Sequence, residues 1–207
     1  MNLPAPHFTV IFLIMENKKN IAFRTVLAHE LRRAKNSFDE YILTLISPEI
    51  ENKDLAIKRY ELYIDFVAHL YEFYKGCAEL DDRIPDKIDH IQLDSILTAE
   101  AERHLLMARE RIDKGYAPVW ENNRNYYDVK VPDDFGKHWR YIRNRRNHVN
   151  VKRFTGEDIS LSEFHEKYHR FIFMLIITDF GEFDSNKPNI QWPIPRQKHN
   201  MLILLKI

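Results

Sequence analysis

Helix-breaking residues are confined to the gaps of this chain, and that restriction limits its fold more than any other feature. Proline clashes with the preceding helical turn and lacks an N–H, so it breaks helix interiors. Of the nine prolines, Pro48, Pro85, Pro118 and Pro132 separate long periodic stretches. Pro4 and Pro6 precede them, and Pro188, Pro193 and Pro195 follow. Glycine tolerates the left-handed conformation that ends many helices. The five glycines fall accordingly: Gly76, Gly115, Gly156 and Gly181 are placed to stop helices, and Gly136 to mark a helix start.

The segments between carry apolar residues at three- and four-residue steps, the period of an amphipathic helix. Asn20 to Ile46 has Leu27, Leu31, Ala34, Phe38, Tyr41 and Leu45. Lys53 to Gly76 has Tyr60, Tyr63, Val67, Leu70, Tyr71 and Tyr74, and Pro85 to Lys114 has Ile88, Ile91, Ile96, Leu97, Leu105 and Ile112. Asp134 to about Val149 has Phe135, Trp139 and Ile142, and Ser160 to Phe180 has Phe164, Tyr168, Phe171, Ile172 and Leu175. Ser160 and Glu163 have capping-box spacing. No repeat, low-complexity tract or strand–helix–strand pattern is present. The reading is all-α, an antiparallel helical bundle of about five helices over residues 20–182.

The flanks, 1–19 and 183–207, read as N- and C-terminal extensions. Phe8 to Met15 is an apolar run too short to span a bilayer and without the basic flank of a signal peptide. Met15 before Glu-Asn-Lys-Lys reads as an alternative start, leaving the first fourteen residues as an upstream extension; a peripheral strand is the other reading. One cysteine, Cys77, rules out an internal disulfide and suits a reducing cytoplasm. Its expected state is a buried structural thiol.

The 31 basic and 31 acidic residues cancel, so any nucleic-acid contact must come from local charge. One segment supplies it. From Lys137 to Arg153 there are seven Lys or Arg and no acid, and such a run attracts phosphate. Within it stands Arg143-Asn144-x-x-x-His148. An imidazole titrates near neutral pH and can move a proton. A guanidinium offers fixed charge and paired donors to phosphate oxygens.

An Arg-Asn-x-x-x-His motif in the fourth helix of an all-helical chain resembles the HEPN superfamily, small helical domains of which many are metal-independent endoribonucleases. The resemblance in architecture covers roughly residues 20–180, and the motif itself six positions. It implies a cytoplasmic homodimer that brings two motifs into a basic cleft, with RNA as substrate and no cofactor or metal. It also implies a toxin or antiphage role with an antitoxin or defence-system partner. The subgroup paired with nucleotidyltransferase antitoxins carries a Tyr shortly after the His; here Lys152 is near and no Tyr is, so that partner is not carried over. On this reading Arg143 stabilises the transition state, His148 is general base or acid, and Asn144 orients one of them or bonds backbone. Arg140, Arg145, Arg146, Lys152 and Arg153 hold the RNA backbone. An acid of the second helix, Glu61 or Asp65, is placed to orient His148. The alternative is a non-catalytic HEPN-like module binding RNA, a nucleotide or a protein.

Geometry constrains the motif. Residues five apart on an unbroken helix point about 140° from each other. Arg143 and His148 converge only if the helix ends near Arg146 or Asn147, for which Asn147 and Asn150 are suited, or if a second subunit completes the site. Arg146 falls near the apolar stripe.

Three other features compete. His165-Glu166-Lys167-Tyr168-His169 spells H-E-x-x-H, a zinc-protease pattern. Lys167 is out of place in it, and Ile172 and Leu175 replace the Gly and third His of the extended form. Ordinary boundary histidines are the expectation. Tyr116 to Asp133 is a long connection whose Arg124, Tyr126 and Tyr127 could meet phosphate and bases, though packing on the bundle is commoner. His29-Glu30, His69 with Glu72, and Glu100 with Arg103 and His104 are read as solvated helix pairs.

Overall fold

The computed structural model describes residues 7–46, 51–79, 88–121, 123–147 and 159–180. Among them the chain is all-helical, with five α-helices and no strand. They are α1 (His7–Ile46), α2 (Lys53–Glu79), α3 (His90–Asp113), α4 (Phe135–Asn147) and α5 (Leu161–Phe180). Two 3-10 turns, Val119–Glu121 and Arg124–Tyr126, lie between α3 and α4. No described helix is long and apolar enough to cross a membrane.

Side-chain pairings give the helix directions. Along α1, Leu27 meets Gly76, Glu30 meets His69 and Tyr41 meets Tyr63 of α2. Partner numbers fall as α1 rises, so the two are antiparallel. α1 is also antiparallel to α5, through Phe38 with Phe173 and Tyr41 with His165. α4 lies antiparallel on α3: Gly136 N donates to Thr98 Oγ1 (3.1 Å), and Arg140 reaches Asp94.

The core is aromatic where α4 enters it. Phe135, Trp139 and Ile142 are fully buried, together with Phe66 and Leu70 of α2 and Phe164, Tyr168 and Ile172 of α5. Full burial of each such side chain stabilises by roughly 1.5–3 kcal/mol. Trp139 is anchored further by Nε1, which donates to the Val67 carbonyl at 2.9 Å. The short α4 is thereby wedged between α2, α3 and α5, and this seating sets where its arginines emerge.

Helix limits follow the sequence in part. Ser160 and Glu163 form the expected box, Glu163 N donating to Ser160 Oγ (3.1 Å) and Ser160 N to Glu163 Oε2 (2.7 Å). Gly115 ends the third helix at φ +73°. α3 begins at His90 rather than Pro85, capped by Asp89, whose carboxylate accepts from Ile91 N and Gln92 N. α1 is already helical from His7, so the run Phe8–Met15 opens a helix rather than forming a strand. Gly156 and Gly181 lie outside the described residues.

Gly76 is a correction. It is internal to α2, which continues to Glu79, and the residue is buried. A Cβ there would sit 2.2 Å from Leu27 Cδ2. The glycine serves a close approach of α1, not a stop. Gly136, near the start of α4 as read, is tighter still: a Cβ would lie 2.0 Å from the Asp94 carbonyl oxygen.

The long connection packs on the bundle. Arg111 donates to the buried Glu121 from Nε (2.8 Å) and Nη2 (2.5 Å). Arg109 Nη1 donates to the Tyr127 carbonyl (3.0 Å), and Val131 N to Glu102 Oε1 (2.6 Å). Tyr127 is buried, so it cannot stack on a base. Arg124 faces Asp113 at 2.9 Å and Asp128 at 3.6 Å.

Backbone cannot yield as a side-chain tip can. Gly136→Ala should therefore cost about 3 kcal/mol of stability. Gly76→Ala, opposed only by the end of Leu27 and favoured by about 1 kcal/mol of helix propensity, should cost clearly less. Urea denaturation of the two variants checks the order; equal losses would refute it.

Candidate functional site

The basic motif begins on the turn of α4 that leaves the core. Phe135, Trp139, Ile142 and Arg146 recur at four-, three- and four-residue steps, so Arg146 continues the buried stripe beyond its apolar part. Arg143 lies beside it. Both guanidiniums reach α2, where Asp65, His69 and Glu72 occupy one face at four- and three-residue steps.

Arg143 is gripped from two sides. Its Nε and Nη2 both lie against Glu72 Oε1, and its Nη1 donates to Asn144 Oδ1 at 3.1 Å. The guanidinium also stands 5.8 Å from the Tyr71 ring, which favours a cation over its face. Tyr71 has its phenol pushed up to about 12, first by burial and then by the Asp94 charge.

The other arginines are paired as well. Arg140 donates to Asp94 of α3 from Nε (2.9 Å) and Nη2 (2.8 Å). Arg146 Nε donates to Asp65 Oδ1, and its Nη2 lies 3.1 Å from His69 Nε2. His69 Nδ1 in turn lies 2.6 Å from Glu30 Oε2 of α1. The Arg145 charge helps hold the Glu163 carboxyl of α5 below the usual range, behind the hydrogen bonds from Ser160. His148, Lys152 and Arg153 lie outside the described residues, as does Asn150, and α4 is described through Asn147.

Asp65 meets Arg146 and Glu61 is exposed, while His148, which either was expected to orient, lies outside the described residues. Two other expectations change here. His69 does not form a solvated pair with Glu72; it is buried between Glu30 and Arg146. His104 is also buried, with Nε2 3.2 Å from Glu100 Oε1. Burial alone would raise the Glu100 carboxyl, but the hydrogen bonds from Arg103 and His104 bring it down to about 2. The acids at 72 and 94 were not singled out as partners of the arginines. Their signal, an acid-and-His face on α2 opposite a basic face on α4, emerges only when both helices are aligned.

The H-E-x-x-H residues take another form. His165 and His169 stack with ring centroids 4.5 Å apart. The Tyr41 hydroxyl lies 3.3 Å from His165 Nε2, and the Tyr63 hydroxyl 3.1 Å from His169 Nδ1. Glu166 is exposed. Among the described residues no three His, Cys, Asp or Glu are grouped to hold a metal ion. The pair joins α5 to α1 and α2, as partly buried boundary histidines do. Cys77 is half-buried rather than buried, and is in no disulfide.

No protein-family model, curated protein or solved structure matches this chain.

The stacked pair predicts an acid-sensitive clasp. Burial, then the neighbouring His165, pushes the His169 imidazole down to about 4, and burial pushes His165 down as well. Between the ordinary value of 6.5 and about 4, the unfolded chain binds a proton at His169 that the native state refuses. Stability from this group is complete above that window and lost as pH falls through it. The urea midpoint should drop from pH 7 to pH 4.5, and less steeply in His165→Gln/His169→Gln. Identical slopes would remove the histidines as the cause.

Proposed function

We propose that this chain is a HEPN-like, metal-independent endoribonuclease that works as a homodimer through Arg143 and His148. The observation that carries the reading is the seating of Arg143. Glu72 takes its Nε and Nη2, and Asn144 takes one hydrogen of Nη1. A guanidinium has five N–H donors in a fixed fork. One hydrogen on each of Nη1 and Nη2 is left without a partner among the described residues, and these charged donors suit phosphate oxygens.

The chemistry assigns the remaining roles. A 2′-hydroxyl loses its proton to His148 or its partner's copy and attacks the adjacent phosphorus. The O2′–P bond forms, the P–O5′ bond breaks, and the 5′-oxygen takes a proton. The products are a 2′,3′-cyclic phosphate and a 5′-hydroxyl end. Arg143 bears the negative charge that grows on the phosphoryl oxygens, and Asn144 orients it. Arg140, Arg145, Arg146, Lys152 and Arg153 hold the RNA backbone. The proposed setting is a cytoplasmic toxin or antiphage defence protein restrained by a partner.

One observation favours a second reading. Arg140, Arg143 and Arg146 each already face a carboxylate, from Asp94, Glu72 and Asp65 respectively. Arginines used this way can serve the bundle alone, leaving a non-catalytic HEPN-like module that binds RNA, a nucleotide or a protein.

Cleavage of a single-stranded RNA separates the two. His148→Ala should lower the rate by about 10²-fold or more, as expected for a lost general base. Arg143→Ala should lower it by roughly 10²–10³-fold, as expected for a lost charge stabiliser. Circular dichroism and the dimer mass should stay unchanged for His148→Ala, and EDTA should leave the wild-type rate intact. Equal behaviour of wild type and His148→Ala on RNA would give the case to the binding module.

A further inference from the structure

His69 is 7% exposed and bridges α1 and α4. Its two ring nitrogens cannot play interchangeable roles. Arg146 Nη2, 3.1 Å from His69 Nε2, is a donor at any accessible pH. Nε2 must therefore present a lone pair, so the ring is neutral and carries its hydrogen on Nδ1. That hydrogen points at Glu30 Oε2, 2.6 Å away, and a carboxylate there favours this tautomer. Glu30 Oε1 is itself 3.6 Å from Arg33 Nη1.

Arg146 is thus met by two acceptors four residues apart on α2: Asp65 at Nε and His69 at Nη2. A planar guanidinium fixed at two of its nitrogens cannot rotate about its own axis. Asp65 supplies charge, and His69 supplies direction.

We propose that His69, held as the Nδ1–H tautomer by Glu30, is a positioning residue that fixes the guanidinium of Arg146 at the end of α4. The proposal extends the ribonuclease reading, on which the use of Arg146 as an RNA-backbone contact rests. The relay Glu30–His69–Arg146 itself is independent of that reading.

The test uses the full chain and a mixed-sequence single-stranded RNA oligonucleotide. His69→Ala should raise KM about 5- to 10-fold, the worth of one misdirected hydrogen bond, with kcat within about twofold. His69→Gln keeps an acceptor near the position of Nε2 and should restore KM to within about twofold of wild type on the same ground. His69→Ala/Arg146→Ala should be no worse than Arg146→Ala alone. Additive losses, or a Gln variant as impaired as Ala, would overturn the proposal. Nitrogen-15 NMR of the wild-type imidazole at pH 7.5 should show a neutral ring protonated at Nδ1; an Nε2–H or charged ring would overturn it too. If the wild type leaves RNA intact, the ribonuclease reading falls by itself, and the tautomer decides the relay alone.

Discussion

The structure depends on seating a strongly basic helix against an aromatic core. α4 is short, and its apolar residues occupy only the first two turns of its inner stripe, Phe135, Trp139 and Ile142. The next position on that stripe is Arg146. Drawing guanidiniums partly out of water is unfavourable unless their donors are met. Asp65 and Glu72 from α2 and Asp94 from α3 meet them. The cations therefore fix the helix on two neighbours at the end where its apolar grip runs out. The local charge is less a free electropositive surface than the sequence implies, and more a set of directed pairs.

The carboxylates belong to the rigid part of the fold. Asp65, His69 and Glu72 ride on α2, whose opposite side is built into the core through Phe66, Val67 and Leu70. Any motion that lifts α4 must break these pairs and also withdraw Trp139 from the Val67 carbonyl. The arginines are thus held by the same helix that packs the centre. A side chain fixed by packed neighbours has little rotamer entropy left to lose in any further contact.

The helices were legible in the sequence because their punctuation is local. Proline and most glycines act on their own backbone, so Pro118, Pro132, Gly115 and the Ser160–Glu163 box mark boundaries without tertiary information. Gly76 misled for the opposite reason. Its role is to admit Leu27 from another helix, and nothing within α2 reveals that. The Asp89–Gln92 box was equally local but lay beyond the better-known helix-starting signal of Pro85. The candidate site was half legible. Arg143 and Asn144 stand together, and the spacing correctly set Arg146 near the apolar stripe. Their partners are distant in the chain: Glu72 lies 71 residues before Arg143, and Asp65 lies 81 before Arg146. No periodicity within one helix encodes such pairings.

The paired state of the arginines also bears on how selective this surface can be. An unpaired basic run binds any polyanion, with affinity set by counterion release. Here Arg140, Arg143 and Arg146 each already face a carboxylate, which subtracts from nonspecific attraction. Glu72 and Asn144 meet Arg143 at all three nitrogens, and Asp94 meets Arg140 at Nε and Nη2, so each guanidinium keeps terminal N–H groups that no described residue takes. An anion that met only those terminal groups would leave the carboxylates in place.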